Sequence, residues 1–180
     1  MIDARSGNLV ARKYQAVHDA SPRPGFSDII DIVRGETATA VLGYRRAGAS
    51  PLFLECYLDA PVETCLARTL GRAVTRDRVI EIGSLAADNA FAMVSLWATA
   101  ANDLGHECEI AVATLTAPLR QMFARMGVPI HILAPATIDR VSDAERWGRY
   151  YDSDPMVCAG FIAEGQRAIA AYLAARRRAA

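Results

Sequence analysis

The chain has 180 residues, of which 52% are hydrophobic and 22% charged, and this length fits one globular domain, which we expect to span residues 1–180. Twenty basic side chains balance twenty acidic ones, so no overall positive field favours nucleic acid or an anionic lipid surface. The N-terminus lacks a secretory-signal pattern and no run reaches about 18 apolar residues, which predicts a cytoplasmic protein without a transmembrane segment.

The first part of the chain predicts a helix followed by a β-hairpin. Apolar residues at helical spacing predict a helix over residues 8–18, and the following segment, rich in proline and glycine, ends it. Two runs of strand-forming residues, 26–33 and 37–46, are separated by Arg34-Gly35-Glu36, which is typical of a hairpin turn. We therefore expect two antiparallel strands.

The middle of the chain predicts a second helix and a strand. Residues 52–58 mix apolar and aromatic side chains, and Cys56 is either a nucleophile beside Glu55 or, as is commoner, a buried strand residue. Asp59 is a candidate N-cap for a helix that takes Pro61 in its first turn and ends at Gly71. Residues 78–87 then predict a strand.

The rest of the chain alternates between helices and strands. Asp88 or Asn89 can cap a long helix that runs to Leu104. A strand (108–115), a helix (116–126), a strand (129–134) and a C-terminal helix over residues 155–180 follow in that order. This order of elements predicts an α/β fold with mixed parallel and antiparallel pairing in its sheet.

Glu81 is the most unusual residue of the predicted strands, because it lies among Val79, Ile80 and Ile82. An ionised carboxylate in apolar surroundings is costly unless it is paired or used. Glu81 is therefore either a base that accepts a proton from a substrate amine or hydroxyl, or a structural group bound to Arg45 or Arg46. The pattern favours neither reading over the other, and Glu55 raises the same question with exposure favoured.

Motifs for several kinds of chemistry are missing from the sequence. The four cysteines form no C-x-x-C pair, and the three histidines have no spacing typical of a metal site or a catalytic triad. The sequence contains no G-x-S-x-G, no phosphate-binding G-x-x-x-x-G-K-[ST] and no dinucleotide-binding G-x-G-x-x-G. We therefore expect no metal and no permanently bound cofactor. The aromatic segment 147–151 either walls an apolar substrate pocket or packs as a lid over the core.

Several segments together resemble a known bacterial family. The block L-F-L-E-x-Y-L-D-x-P-x-E covers residues 52–63, and E-x-G-x-L-A covers residues 81–86. With Gly43-Tyr-Arg45, Arg120 to Gly127 and Trp147-Gly-Arg-Tyr-Tyr151, they are similar to the family called thermostable hemolysin. The family name implies lysis, but the sequence has no long amphipathic hairpin and no basic amphipathic helix that would support it.

The element order is similar to the Gcn5-related N-acyltransferase fold, which implies a largely antiparallel sheet flanked by helices. A closer similarity is to acyl-homoserine lactone synthases, which place a glutamate in the corresponding strand within E-x-S-R-F. Glu81-Ile-Gly-Ser-Leu85 matches that motif at Glu81, and Gly43-Tyr-Arg-Arg46 resembles the G-x-x-R strand of the same enzymes. Ser84 stands where those synthases have an arginine, so lactone formation itself is not implied.

The resemblance implies an acyltransferase that moves an acyl group, expected to be fatty, from a phosphopantetheine thioester to a small amine or alcohol. The donor would be acyl coenzyme A or acyl carrier protein, with no nucleic acid partner. The expected catalytic residues are Glu81 and Glu55. The expected substrate-binding residues are Arg45, Arg46, Tyr57, Trp147, Tyr150 and Tyr151, of which the last three line the acyl side. The expected thioester-binding residues are Leu85, Ala86, Ala87, Asn89 and Thr114.

Two alternatives to this enzyme stay open at the level of sequence. One is a non-enzymatic hemolysin or lipid-binding protein, as the family name suggests. The other is a binding or scaffold protein that keeps the acyltransferase fold, because a fold does not fix a function.

Overall fold

A twisted sheet positions every residue discussed below; the computed structural model describes residues 4–22, 25–26 and 28–178. Within those residues the sheet has six strands in the order β1-β2-β3-β4-β6-β5. Its strands are β1 (Asp28–Arg34), β2 (Thr37–Arg46), β3 (Val79–Ala87), β4 (Ile110–Leu115), β5 (His131–Pro135) and β6 (Met156–Phe161). The helices are α1 (Ala4–His18), α2 (Val62–Leu70), α3 (Ala90–Leu104), α4 (Ala117–Arg125) and α5 (Ile162–Arg178).

Pairing in the sheet is antiparallel except between β3 and β4, which run parallel. The helix α3 provides the crossover that a parallel pair requires. One face of the sheet packs against α3 and α5 around Leu42, Ile80 and Leu96, and the other packs against α2 around Leu54 and Val112. The mixed sheet flanked by helices that the sequence predicted is therefore confirmed.

The structure corrects two of the predicted elements. Residues Phe53–Tyr57 form a 3-10 helix rather than a strand, and α2 begins after Pro61, which is itself the N-cap in place of Asp59. The C-terminal helix does not extend back to residue 155, because Met156–Phe161 is β6, which lies between β4 and β5. Val157, Cys158 and Ala159 of β6 are buried, so this strand shows no alternation between apolar and polar residues that would reveal it.

Candidate active site

The strands β3 and β4 separate halfway along their length. Their parallel pairing covers Val79 to Ile82 on β3 and Ile110 to Ala113 on β4. Beyond that point β3 pairs only with β2, and β4 pairs only with β6. The two facing edges therefore leave a gap in the middle of the sheet, bounded by backbone that pairs with no further strand of the described residues.

A β-bulge shapes the β3 side of this gap. Gly83 pairs with Gly43 and Ala86 pairs with Val41, so the two residues Ser84 and Leu85 lie opposite the single β2 residue between them. Ser84 has a φ of 48°, in the left-handed region that residues other than glycine rarely adopt. The bulge turns the backbone at the point where the strands separate.

The gap opens into a cavity of about 200 Å³ that α1 closes on one side. Four of the five residues expected to bind the thioester line this cavity: Leu85, Ala86, Ala87 and Thr114. Asn89 does not line it; its side chain accepts a hydrogen bond from the backbone N–H of Ala92 at 2.9 Å and so caps α3. The sequence analysis missed the α1 wall, which is formed by Lys13, Tyr14, Val17 and His18.

Glu81 lies just below the separation and is 2% exposed. Its Oε2 accepts the backbone N–H of Phe53 and its Oε1 that of Leu54, both at 2.8 Å. Arg45, directly opposite on β2, places its Nε 3.4 Å from Oε2. Burial raises the pKa of Glu81, while the two N–H groups and the arginine lower it in part. Of the two readings of Glu81, the structure shows the ion pair with Arg45, and the carboxylate also lines a small cavity beside the gap.

Arg45 is held in place on all sides of its guanidinium. Beyond Glu81, it donates to the backbone carbonyls of Gly25 at 2.9 Å and Pro51 at 3.2 Å, and it covers the Phe26 ring at 4.7 Å. Its neighbour Arg46 points away and pairs with Glu107. The structure therefore brings only one of the two expected arginines to Glu81.

Glu55 is turned away from the gap and holds the loop before α2. It forms a two-pronged ion pair with Arg76, at 2.6 and 2.9 Å, and accepts the backbone N–H groups of Leu52 and Val62. These contacts lower the pKa of Glu55 to about 2. Glu55 does not line either cavity beside the gap. Every lone-pair direction of Glu55 is thus engaged in holding the chain.

The aromatic residues of the 147–151 segment meet those of the 3-10 helix at Glu81. Trp147 stacks on Phe53 with ring centres 5.6 Å apart, and the hydroxyls of Tyr57 and Tyr151 are 2.8 Å apart. Phe53, Tyr57, Trp147 and Tyr150 all line the Glu81 cavity, whereas Tyr151 does not line it and contacts Tyr57 through its hydroxyl. Burial raises the pKa of Tyr57 and of Tyr151, so both phenols are neutral near pH 7.

A third cavity, apolar and of about 80 Å³, lies on the face of the sheet that α3 and α5 cover. Ile82 lines both this cavity and the Glu81 cavity, which places the two on either side of one residue. The sequence analysis did not identify this cavity, because its walls come from α3, α4, α5 and three strands. Its walls include Ile82, Trp97, Ala113, Leu115, Phe123, Cys158 and Ile169.

Among the residues that the structure describes, no three His, Cys, Asp or Glu side chains are grouped so as to hold a metal ion. Over the same residues, no helix combines the length and the apolar character needed to cross a membrane.

The profile of one protein family, described as thermostable hemolysin, matches residues 3–166. The chain belongs to the thermostable hemolysin family. No curated protein sequence matches it. The family resemblance read from residues 52–63 and 81–86 is thereby confirmed.

Three solved structures are similar to this thermostable hemolysin over most of its length. The N-acyl amino acid synthase FeeM from uncultured soil microbes has a TM-score of 0.62 at 15% identity, over 91% of this chain and 92% of that one. TofI, in a ternary complex with an inhibitor and MTA, has a TM-score of 0.60 at 16% identity, over 94% and 91%. The CoA-dependent acyl-homoserine lactone synthase BjaI, with SAM and isopentyl-CoA, has 0.57 at 13% identity, over 91% and 76%. The acyltransferase-like fold expected from the sequence is confirmed.

Proposed function

We propose that this protein transfers an acyl group from a phosphopantetheine thioester, carried by coenzyme A or by acyl carrier protein, to a small amine or alcohol. The acceptor nitrogen or oxygen attacks the thioester carbonyl, the C–S bond breaks, and the thiol leaves. The proton lost by the acceptor passes to Glu81 and then to the departing sulfur, so the reaction needs no further reactant. The single observation that carries the proposal is the gap between β3 and β4 with a buried carboxylate beside it.

The gap suits the pantetheine arm because that arm carries two amide groups in an extended chain. Backbone N–H and C=O groups on the facing edges of β3 and β4 have no strand partner beyond Ile82 and Ala113. They can therefore pair with the amides as strands pair with each other. In this proposal, backbone N–H groups of the bulge at Ser84 and Leu85 stabilise the thioester oxygen as it becomes negative.

Glu81 is the base in this proposal. Burial makes it a stronger base than an exposed carboxylate, and Arg45 with the two backbone N–H groups fixes its orientation. Phe53, Tyr57, Trp147 and Tyr150 would surround the acceptor, because they line the same cavity as Glu81. Glu55 has no place in the chemistry proposed here; it holds the loop from which Phe53 and Tyr57 project.

The apolar cavity is the proposed site of the acyl chain. Its walls consist of apolar side chains on the far side of Ile82 from Glu81. A chain that enters at the gap reaches this cavity past one residue. The residues expected to line the acyl side were Trp147, Tyr150 and Tyr151; in this assignment Trp147 and Tyr150 belong to the acceptor side, because they line the same cavity as Glu81.

The test is acyl transfer by the purified full chain. Octanoyl-CoA and octanoyl acyl carrier protein are each mixed with a panel of amino acids, amines and alcohols, and product mass and free thiol are measured. Glu81→Gln should lower turnover by roughly 10²-fold or more and should remove the acid limb of the pH–rate profile. Glu107→Gln, which alters a carboxylate paired with Arg46 away from the gap, is the matched control.

A structural effect of Glu81→Gln is separated from a catalytic one by two further measurements. The melting temperature shows whether the variant is folded, and the pH profile shows whether a base has been lost. Full activity of Glu81→Gln would overturn the assignment of the base. Absence of transfer across the whole panel, together with leakage of phosphatidylcholine vesicles, would favour a lytic protein instead.

A further inference from the structure

The wall of the Glu81 cavity carries one charge. Among the residues that the structure describes, the only charged side chain that lines this cavity is Glu81 itself, and the other walls are aromatic, aliphatic or hydroxyl-bearing. The cation paired with Glu81, Arg45, is already engaged, because its three nitrogens contact the carboxylate and the backbone carbonyls of Gly25 and Pro51. The wall therefore offers no free positive charge to an anionic ligand.

The cavity at the gap between β3 and β4 adds no unpaired cation within the same part of the chain. Its wall includes Lys13 and His18. The Nζ of Lys13 lies 3.3 Å from the carboxylate of Asp88, with which it forms an ion pair. Burial and the charge of Arg149 lower the pKa of His18, so its ring is neutral near pH 7. An anionic group beside Glu81 would thus meet a like charge between apolar walls, which is unfavourable.

Hydroxyl groups surround the place where these two cavities meet. Four residues that carry a hydroxyl line both cavities: Tyr14, Ser84, Thr114 and Tyr150. Within the described part of the chain, none of these hydroxyls forms a hydrogen bond. Ser84 and Tyr150 are only 5% and 6% exposed, yet neither hydroxyl is among the fully enclosed polar atoms that lack a partner, so both keep accessible surface. An uncharged polar group that donates and accepts hydrogen bonds matches them.

We infer that the acceptor taken by this protein is a 1,2-amino alcohol rather than an α-amino acid. The inference rests on the proposed function for the assignment of the Glu81 cavity to the acceptor. The carbon of an α-carboxylate lies about 2.5 Å from the amino nitrogen, so an amino acid that brings its nitrogen to Glu81 also brings its carboxylate there. A hydroxymethyl group in the same position is uncharged, and Ser84 and Tyr150 can form hydrogen bonds with it.

The test measures binding to the full chain and needs no turnover. Two matched pairs, ethanolamine with glycine and leucinol with leucine, are titrated and followed by ligand-observed NMR. Within each pair the carbon skeleton is the same, and only the hydroxymethyl group and the carboxylate differ. At least one amino alcohol should bind about ten-fold or more tightly than its amino acid. Equal binding within both pairs, tighter binding of an amino acid, or no binding of either amino alcohol would overturn the inference.

Two variants test where the preference comes from. Tyr150→Phe removes a hydroxyl and keeps the ring, so affinity for the amino alcohol should fall by about three-fold or more. Glu81→Gln removes the like charge, so the preference over the amino acid should disappear in a variant whose melting temperature shows that it is folded. The control Glu107→Gln should keep the full preference. A full preference in folded Glu81→Gln would contradict the electrostatic origin and overturn the inference.

The inference and the proposed function fail in different ways. Acyl transfer to α-amino acids but not to amino alcohols would overturn the inference and leave the proposed function standing. Selective binding of amino alcohols by a protein that transfers no acyl group would instead overturn the proposed function, and the ligand class assigned to the Glu81 cavity would stand.

Discussion

Arg45 and Glu81 occupy directly opposed positions of two antiparallel strands, and their side chains meet at 3.4 Å in the interior. The arginine also donates hydrogen bonds to two backbone carbonyls, which hold it beside Glu81. Without Arg45, the carboxylate would have no charged partner in its apolar surroundings. The charge of Glu81 thus depends on Arg45 of β2 together with the backbone N–H groups of Phe53 and Leu54.

Replacing Arg45 with methionine should move the pH dependence of the reaction. Loss of the positive charge raises the pKa of Glu81 further. Because a base works only when it is deprotonated, the acid limb of the pH–rate profile should move to higher pH by about one unit. The free energy of unfolding near pH 7 should also fall by about 2 kcal/mol or more, because a buried carboxylate loses its partner. An unchanged acid limb would show that Glu81 does not limit the rate. Arg72→Met, which breaks an exposed pair with Glu109, is the control.

The ion pair between Glu55 and Arg76 should make the free energy of unfolding depend on pH. The folded-state pKa of Glu55 is about 2, below the ordinary value of 4.5, so the ion pair stabilises the fold above pH 4.5 and is lost as the pH falls toward 2. The free energy of unfolding of the wild type should exceed that of Glu55→Gln by about 3 kcal/mol at pH 7. This difference should shrink as the pH falls from 4.5 toward 2. Urea unfolding at a series of pH values measures it. The exposed pair of Glu109 offers a comparison, since Glu109→Gln should change stability by less than about 1 kcal/mol.

The Phe26 side chain packs directly against the backbone of Gly83 and Gly43. The two glycines are paired across β2 and β3, and a Cβ at Gly83 would lie 2.6 Å from the Cε2 of Phe26. Gly83→Ala should therefore lower the free energy of unfolding by about 1–3 kcal/mol. Gly165→Ala should have the opposite sign, a gain of about 0.5–1 kcal/mol, because its Cβ meets only Val128 at 3.7 Å and alanine favours the helix. Thermal unfolding of both variants checks the pair.

The free energy of unfolding should depend on how well the side chain at position 84 tolerates a positive φ. Ser84→Val forces a β-branched residue into the left-handed region and should cost about 1–2 kcal/mol more than Ser84→Gly. Chemical denaturation of both variants measures the difference. Equal stability of the two would mean that the backbone relaxes to an ordinary strand at this position.

The elements with strong periodicity were predictable from the sequence, and so was the unusual position of Glu81 within β3. The hairpin of β1 and β2, the strand β3 with Glu81 inside it, and α3 all follow from local patterns, and the structure has them within a few residues. Glu81 is visible in the sequence because a carboxylate among isoleucines is unusual wherever it occurs.

What the sequence could not predict depends on contacts between distant segments. The N–H groups of Phe53 and Leu54 bind a carboxylate 27 or 28 positions away, and this contact favours a 3-10 helix where the local pattern resembles a strand. The wall that α1 gives to the gap, with Tyr14 and His18, depends on how that helix packs across the sheet. No spacing between residues in α1 and β3 carries that information.

The position of Ile82 between two cavities has a consequence for how members of such a family diverge. The walls on the two sides of this residue come from different elements: α3, α4 and α5 on one, the 3-10 helices and α1 on the other. The helices that line one cavity contribute no residue to the other. Under the proposed assignment, the length or decoration of the acyl chain can change while the acceptor stays the same, so one scaffold can yield a series of products through separate, small steps.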